Sequence, residues 1–256
     1  MFNQSKIILL YLMLFSSSGC SIGRTVNKTL SPPPDTKWVN VEVKNPSQYT
    51  KPFPLELRYI SHECQKKRVS GFDGSVISEP SYNVIRVPMQ QQNGDYWNEK
   101  VAMTGGGSCK WTISAVTLGI EYIEATHLGK DLVPGTAVGV TIAFDNDASR
   151  DGQFNIVSNS NLFFTSTYYP LIKTNKMIRK NDSLNIFGKE DFLQKRILYP
   201  DGLISIKFAP KLDESKVVRM IAPKEYKVGE FYEIIYPDGT VVSDGSTHPD
   251  IRKMVK

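Results

Sequence analysis

Apolar residues in this chain recur at every second position, in short runs set between turn residues. Trp38-Val39-Asn40-Val41-Glu42-Val43 alternates in this way, and so does 55–60 (LELRYI). Successive side chains on an extended backbone point to opposite faces, so such runs bury one face only as β-strands. Segments 82–89, 97–103, 109–122 and 137–145 read the same way, with 161–167 and 183–187 as weaker candidates. The richest, 109–122, follows Gly105-Gly106-Gly107, a run without Cβ atoms that permits a tight turn or a close backbone approach. The last third holds an echo: 196–206 and 233–242 each centre on Tyr-Pro-Asp-Gly. Proline presets φ for the first corner, Asp closes the turn with its side chain, and Gly takes the left-handed position. Both copies therefore predict hairpins, expected as neighbours in one sheet. Helical signals are confined to 189–196 (KEDFLQKR) and to 247–255, with Thr247 as its cap. The fold class predicted is all-β: a mainly antiparallel β-sandwich with few short helices, either as one body or as two β-subdomains. The loop-like stretch 145–152 (DNDASRDG) is the expected boundary, dividing a β-domain of 36–145 from a second β-rich part, 146–256.

Residues 1–19 stand apart from this pattern. They carry one charge, Lys6, then an apolar stretch from Ile7 to Phe15, then small residues before Cys20. Nine apolar residues are too few to span about 30 Å of hydrocarbon as a helix, but they suit the core of a secretory signal. The cysteine directly after Ser16-Ser17-Ser18-Gly19 makes the leader resemble that of a bacterial lipoprotein. The resemblance implies that Cys20 takes a diacylglycerol and becomes the first residue of the mature chain. It departs from the family pattern at Ser17, where Leu is usual. The alternative is a plain secreted protein with Cys20 beside the cut. Ser21, rather than Asp, after the cysteine implies sorting to the outer membrane of a Gram-negative cell, facing the periplasm. The polar, proline-ended segment 20–35 reads as a flexible tether.

Two cysteines remain, Cys64 and Cys109. An even number in an oxidising compartment points to one disulfide. It would close a loop of about 45 residues, which the chain-entropy relation values at about 4 kcal/mol. A Cys2His metal site with His62 is the weaker alternative, because zinc wants three or four ligands at tight spacing.

Enzyme signatures are absent. Gly107-Ser108-Cys109 lacks the second glycine of a nucleophile elbow, and no HExxH, Walker loop or GxGxxG occurs. Asp145, Asp147 and Asp151 suggest a calcium loop, but Arg150 stands where that loop needs Gly and Ile156 where it needs an acid. Asp201 and Asp238 occupy turn positions that want Asp for backbone reasons. No cofactor or metal site is expected. Basic clusters at Lys66-Lys67-Arg68 and at Lys173, Lys176, Arg179 and Lys180 suit an acidic partner, anionic headgroups or simply solvent. With a net charge of +5 and no recognisable module, nucleic-acid binding is not expected.

The run Val101-Ala102-Met103-Thr104-Gly105-Gly106-Gly107-Ser108-Cys109-Lys110-Trp111-Thr112-Ile113 is similar to one in enterobacterial lipoproteins that accompany antibacterial phospholipase effectors of type VI secretion. The leader and Cys64 fit the same family. The resemblance covers about residues 1–125. It implies an immunity role: a lipoprotein, not an enzyme, that waits in the periplasm, binds an incoming phospholipase and blocks its active site. A structural or assembly lipoprotein of the envelope is the alternative. The contact residues are not legible; the candidate loops are Phe72-Asp73, 90–97 and 163–169.

Overall fold

The computed structural model describes residues 26–149, 154–177, 180–225 and 227–254. The leader, the lipid-acceptor candidate Cys20, and Arg150, Asp151 and Arg179 lie outside them. In chain order the first strands are β1 Trp38–Lys44, β2 Thr50–Pro52, β3 Leu55–Val69, β4 Val76–Val87 and β5 Gln90–Gln91. Then come β6 Tyr96–Ala102, β7 Thr104–Gly106, β8 Trp111–Tyr122, β9 Val133–Pro134 and β10 Val138–Ala143. The middle of the chain adds β11 Asn155–Val157, β12 Asn161–Phe164, β13 Thr167–Thr174, β14 Ser183–Phe187 and β15 Phe192–Ile197. Last are β16 Ser205–Phe208, β17 Lys211–Leu212, β18 Val218–Ile221, β19 Glu233–Ile235 and β20 Val241–Val242. Short 3-10 turns form at Thr126–Leu128, Pro200–Gly202 and Ile251–Met254.

The all-β class is as expected, but the sheets are mixed. One runs β12-β16-β1-β6-β5, a second β11-β15-β10-β8-β3-β4 with β2 and β7 also on β8, and a third β20-β19-β18-β13-β14-β9 with β17 on β13. Late strands join early sheets in parallel: β16 lies along β1 and β15 along β10. The boundary expected at 145 is therefore not a boundary between sheets. Alternating strands read as expected, with Val39, Val41 and Val43 of β1 buried inward and Trp38 outward. Strand β13 departs from alternation because both its faces are covered. Tyr168 and Ile172 enter the main core, while Tyr169 and Leu171 enter a smaller one with Phe187, Met220, Ile234 and Met254.

Three local expectations are corrected. The segment 189–196 is not a helix. Its residues form β15: Phe192 to Arg196 pair with β10, and Lys195 to Ile197 also pair with β11, so the ladder takes up the backbone in place of a helix. The terminal segment forms only the turn Ile251–Met254, and Asp250, not Thr247, receives the first amide, from Arg252 at 3.0 Å. Of the two Pro-Asp-Gly copies, only 233–242 makes a hairpin, β19 with β20, with Gly239 at φ 83° and Asp238 accepting from the Thr240 amide. The other copy is a crossover. It carries the chain from β15 in one sheet to β16 in another, so the two copies are not neighbours.

The segment read as a tether is docked from Val26 onward. The Ser31 amide donates to the Gly105 carbonyl at 2.8 Å, and Trp111, fully buried, donates its indole N–H to the Asn27 carbonyl at 3.1 Å. Asn83 donates to the Lys28 carbonyl at 2.8 Å, and Val26 and Leu30 pack on the core. The three glycines make this possible. A Cβ on Gly106 would lie 2.2 Å from the Ser31 oxygen, and one on Gly107 2.6 Å from the Thr29 oxygen.

Candidate functional site

The distal half of the β3–β4 hairpin projects from the sheet. Up to Ile60, β3 is flanked by both β4 and β8. The ladder with β4 then skips from Ser61 to Gln65, leaving His62, Glu63 and Cys64 as a bulge. Beyond it, Gln65 to Val69 pair only with Val76 to Pro80 among the described residues. This two-stranded arm is about 17 Å long at the ordinary strand rise.

The bulge turns Cys64 toward the chain beside β8. Cys64 and Cys109 form the expected disulfide, with Cα atoms 5.3 Å apart. Buried Ser61 reinforces it: its hydroxyl donates to the Cys109 carbonyl at 2.5 Å and accepts from the Cys64 amide at 2.9 Å. A Cys2His site is excluded, because a disulfide sulfur is no thiolate ligand. The arm is thus clamped at its root. An isolated two-stranded hairpin is only marginally stable in water, so the clamp matters for its order.

At the far end the chain turns through 70–75. The Ser70 amide donates to the Ser75 carbonyl at 2.7 Å and the Gly74 amide to the Ser70 carbonyl at 3.1 Å, with Gly74 at φ 72°. Asp73 accepts from the Ser75 amide and hydroxyl at 3.1 and 2.8 Å, and the Ser75 hydroxyl foremost holds its carboxyl below the usual range. This internally bonded tip presents Phe72 wholly to solvent (100%), with the cross-strand pair Val69 and Val76 two-thirds exposed behind it (67% and 66%). On the stem, Arg68 and Lys66 both pair with Glu79, Lys66 at 3.7 Å.

The other candidate loops differ. In 163–169, Phe163 is exposed, but Tyr168 and Tyr169 are buried and present no contact surface. The tight turn within 90–97 is held by the Gln92 amide on the Tyr96 carbonyl. Lys176 pairs with Asp182 at 2.7 Å and Lys173 lies over the Tyr232 ring, so these two lysines of that cluster are tied into local structure. Asp145 accepts from Ser114 and from the Ala148 amide, a turn role. No group of three or more metal-ligating side chains occurs among the described residues.

Two features escaped sequence reading. Glu214 accepts from the Ser47 hydroxyl at 2.9 Å and the Tyr122 hydroxyl at 3.2 Å, and lies 3.0 Å from His127 Nε2, whose ring stacks on Tyr49 at 3.6 Å. Burial, and then the Glu214 carboxylate, push the Tyr122 phenol upward. These residues come from three distant segments, so no local spacing signals them; together they clasp the third sheet to the other two. The second feature is a cleft of about 310 Å³ on the outer face of the third sheet, lined by Leu171, Lys173, Asn185, Phe187 and Met220. Asn185 at its floor is spent on structure, donating to Leu171 and Ser183 and accepting from Thr136. Of the candidate surfaces, only the arm is both preorganised and apolar at an exposed end. No family model, curated protein or solved structure matches the chain.

Proposed function

We propose that this protein is a lipid-anchored immunity protein of the periplasm, which neutralises an antibacterial phospholipase by binding it. The single observation behind this reading is the clamped arm with its exposed apolar tip. Phe72, Val69 and Val76 together leave the end of the arm apolar and exposed, and exposed apolar patches are where partners bind. Preorganisation lowers the entropic cost of docking, and aromatic residues are favoured anchors. The leader and the run 101–113 supply the rest, through their resemblance to the lipoproteins that accompany such effectors.

Cys20 is the proposed lipid acceptor, holding the domain at the outer membrane. Two acyl chains anchor stably where one is marginal. Cys20→Ser should move the protein from the membrane to the soluble periplasmic fraction; unchanged fractionation would refute the anchor. The immunity role is tested first at the neighbouring reading frame, where it predicts a phospholipase gene, and then by expressing that enzyme in the periplasm. Cells carrying this protein should survive, and purified protein should bind and inhibit the enzyme. Failure of both protection and binding refutes the role.

A further inference from the structure

We propose that the cleft on the outer face of the third sheet binds a short peptide with both ends free, its carboxylate on Lys173 and its ammonium on Asp191. The site lies apart from the arm and does not depend on the immunity role. Three observations carry it: a fixed apolar floor, two opposite charges and the spacing between them.

The C-terminal segment covers one part of the sheet face, where Ile251 and Met254 join the core of Val218, Ile234 and Tyr236. The neighbouring part stays open as a cleft of about 310 Å³, at the small end of ligand-binding sites. Leu171, Phe187 and Met220 line it and are themselves buried. Asn185, between them, is held by Leu171, Ser183 and Thr136, so the floor is set before a ligand arrives. An apolar side chain laid on this floor leaves water, and a fixed floor lowers the entropic cost of binding.

The charges stand at opposite ends. Lys173 and Asp191 both line the cleft. Lys173 lies across the ladder from Ser183, with its ammonium 5.3 Å from the centre of the Tyr232 ring. Asp191 lies past the other end of β14, where its carboxylate accepts from the Gly188 amide at 3.3 Å. Neither has an ion-pair partner among the described residues. Each is therefore available for a charge-assisted hydrogen bond, the strong kind, with a ligand group of opposite sign.

The spacing sets the length of the ligand. Lys173 and Tyr169, which pairs with Phe187, are four residues apart on β13, about 13 Å at the ordinary strand rise. An extended tripeptide covers about 10 Å, and a hydrogen bond of about 2.8 Å at each end closes the gap. Its middle residue then falls over Leu171. Other anions match less of the site. A fatty acid would end its tail against the Asp191 carboxylate, and inorganic phosphate would leave both the floor and Asp191 unused.

The test is calorimetry on purified Cys20→Ser protein with the tripeptides Ala-Leu-Ala and Ala-Phe-Ala. The free peptides should bind at one site per chain. Their N-acetylated and C-amidated forms should each bind at least about 10-fold more weakly. Lys173→Gln should weaken the free peptides by a similar factor and leave the amidated ones unaffected. Asp191→Asn, which keeps an acceptor for the Gly188 amide, should do the same with the acetylated ones. Equal binding of free and capped peptides, or variants that weaken all forms alike, overturns the assignment of the two ends. Binding of decanoate without binding of peptide makes the cleft a site for lipid carboxylates and overturns the proposal. Absence of binding by both free tripeptides overturns it as well, and leaves the immunity role standing.

Discussion

Strand β3 has two halves that obey different rules. From Leu55 to Ser61 it is a core strand: Leu55, Leu57, Tyr59, Ile60 and Ser61 are all at or below 3% exposure, with a partner strand on each side. From Gln65 to Val69 it has one partner and exposed faces. Burial accounts for the first half and not for the second. What holds the second half is the ladder with β4, the bonded tip and the disulfide at the root. The second half thus runs on without apolar burial and carries apolar residues at its end.

The largest expected effect breaks the link between the halves. Replacing both Cys64 and Cys109 by Ser removes the constraint on the unfolded chain and should cost about 4 kcal/mol, read as a lower urea midpoint. Hydrogen exchange should then report early opening of 65–80, ahead of 55–60. Exchange that stays uniform along β3 would show that the two halves form one cooperative unit.

Next is Gly106→Ala. The position has φ 61°, and the new Cβ would lie 2.2 Å from the Ser31 oxygen, a backbone atom that cannot swing aside. The expected cost is about 2 kcal/mol, with residues 26–35 becoming cleavable by protease while the arm is untouched. Protection of 26–35 in this variant would show that the docked segment is held by other contacts.

An alkaline pH effect belongs to the buried half. Burial pushes the Tyr59 phenol from 10.0 to about 12, and its hydroxyl donates to the Ala102 carbonyl at 2.9 Å. The unfolded chain loses that proton first, so the stabilising contribution is complete below pH 10 and is lost as the pH rises toward 12. Tyr59→Phe should flatten the fall in stability over that window; an unchanged slope would assign the alkaline loss to other groups, such as Tyr168.

Local periodicity revealed β3 and β8 but not which strands would meet. The two Pro-Asp-Gly segments show why. Their turn chemistry is the same, yet the second closes a hairpin while the first crosses between sheets, because Phe192–Ile197 finds β10 and Ser205–Phe208 finds β1. Turn residues fix a corner; partners 50 and more residues away decide where it leads. The glycine run announced a close approach, but residues 26–31 show no alternating run and gave no sign of being the segment that approaches. For the arm, Phe72-Asp73 and Lys66-Lys67-Arg68 were legible as candidates. Val69 and Val76 were not, since their pairing at the tip depends on a bulge that no residue pattern marks.

The smallest effect is the most telling for the comparison. Phe72 makes no buried contact, so Phe72→Ala should leave the unfolding midpoint where it is, as surface changes away from special features do. Glu79→Gln removes two exposed ion pairs on the stem and should be equally silent. Leu57→Ala, in the buried half of the same strand, should cost about 2–5 kcal/mol. If Phe72→Ala destabilises the fold, the tip is part of the scaffold and its exposure carries no functional meaning. If it leaves stability intact and abolishes protection of cells, the residue's contribution lies wholly in contact with a partner, which is the division between the halves of β3 in its sharpest form.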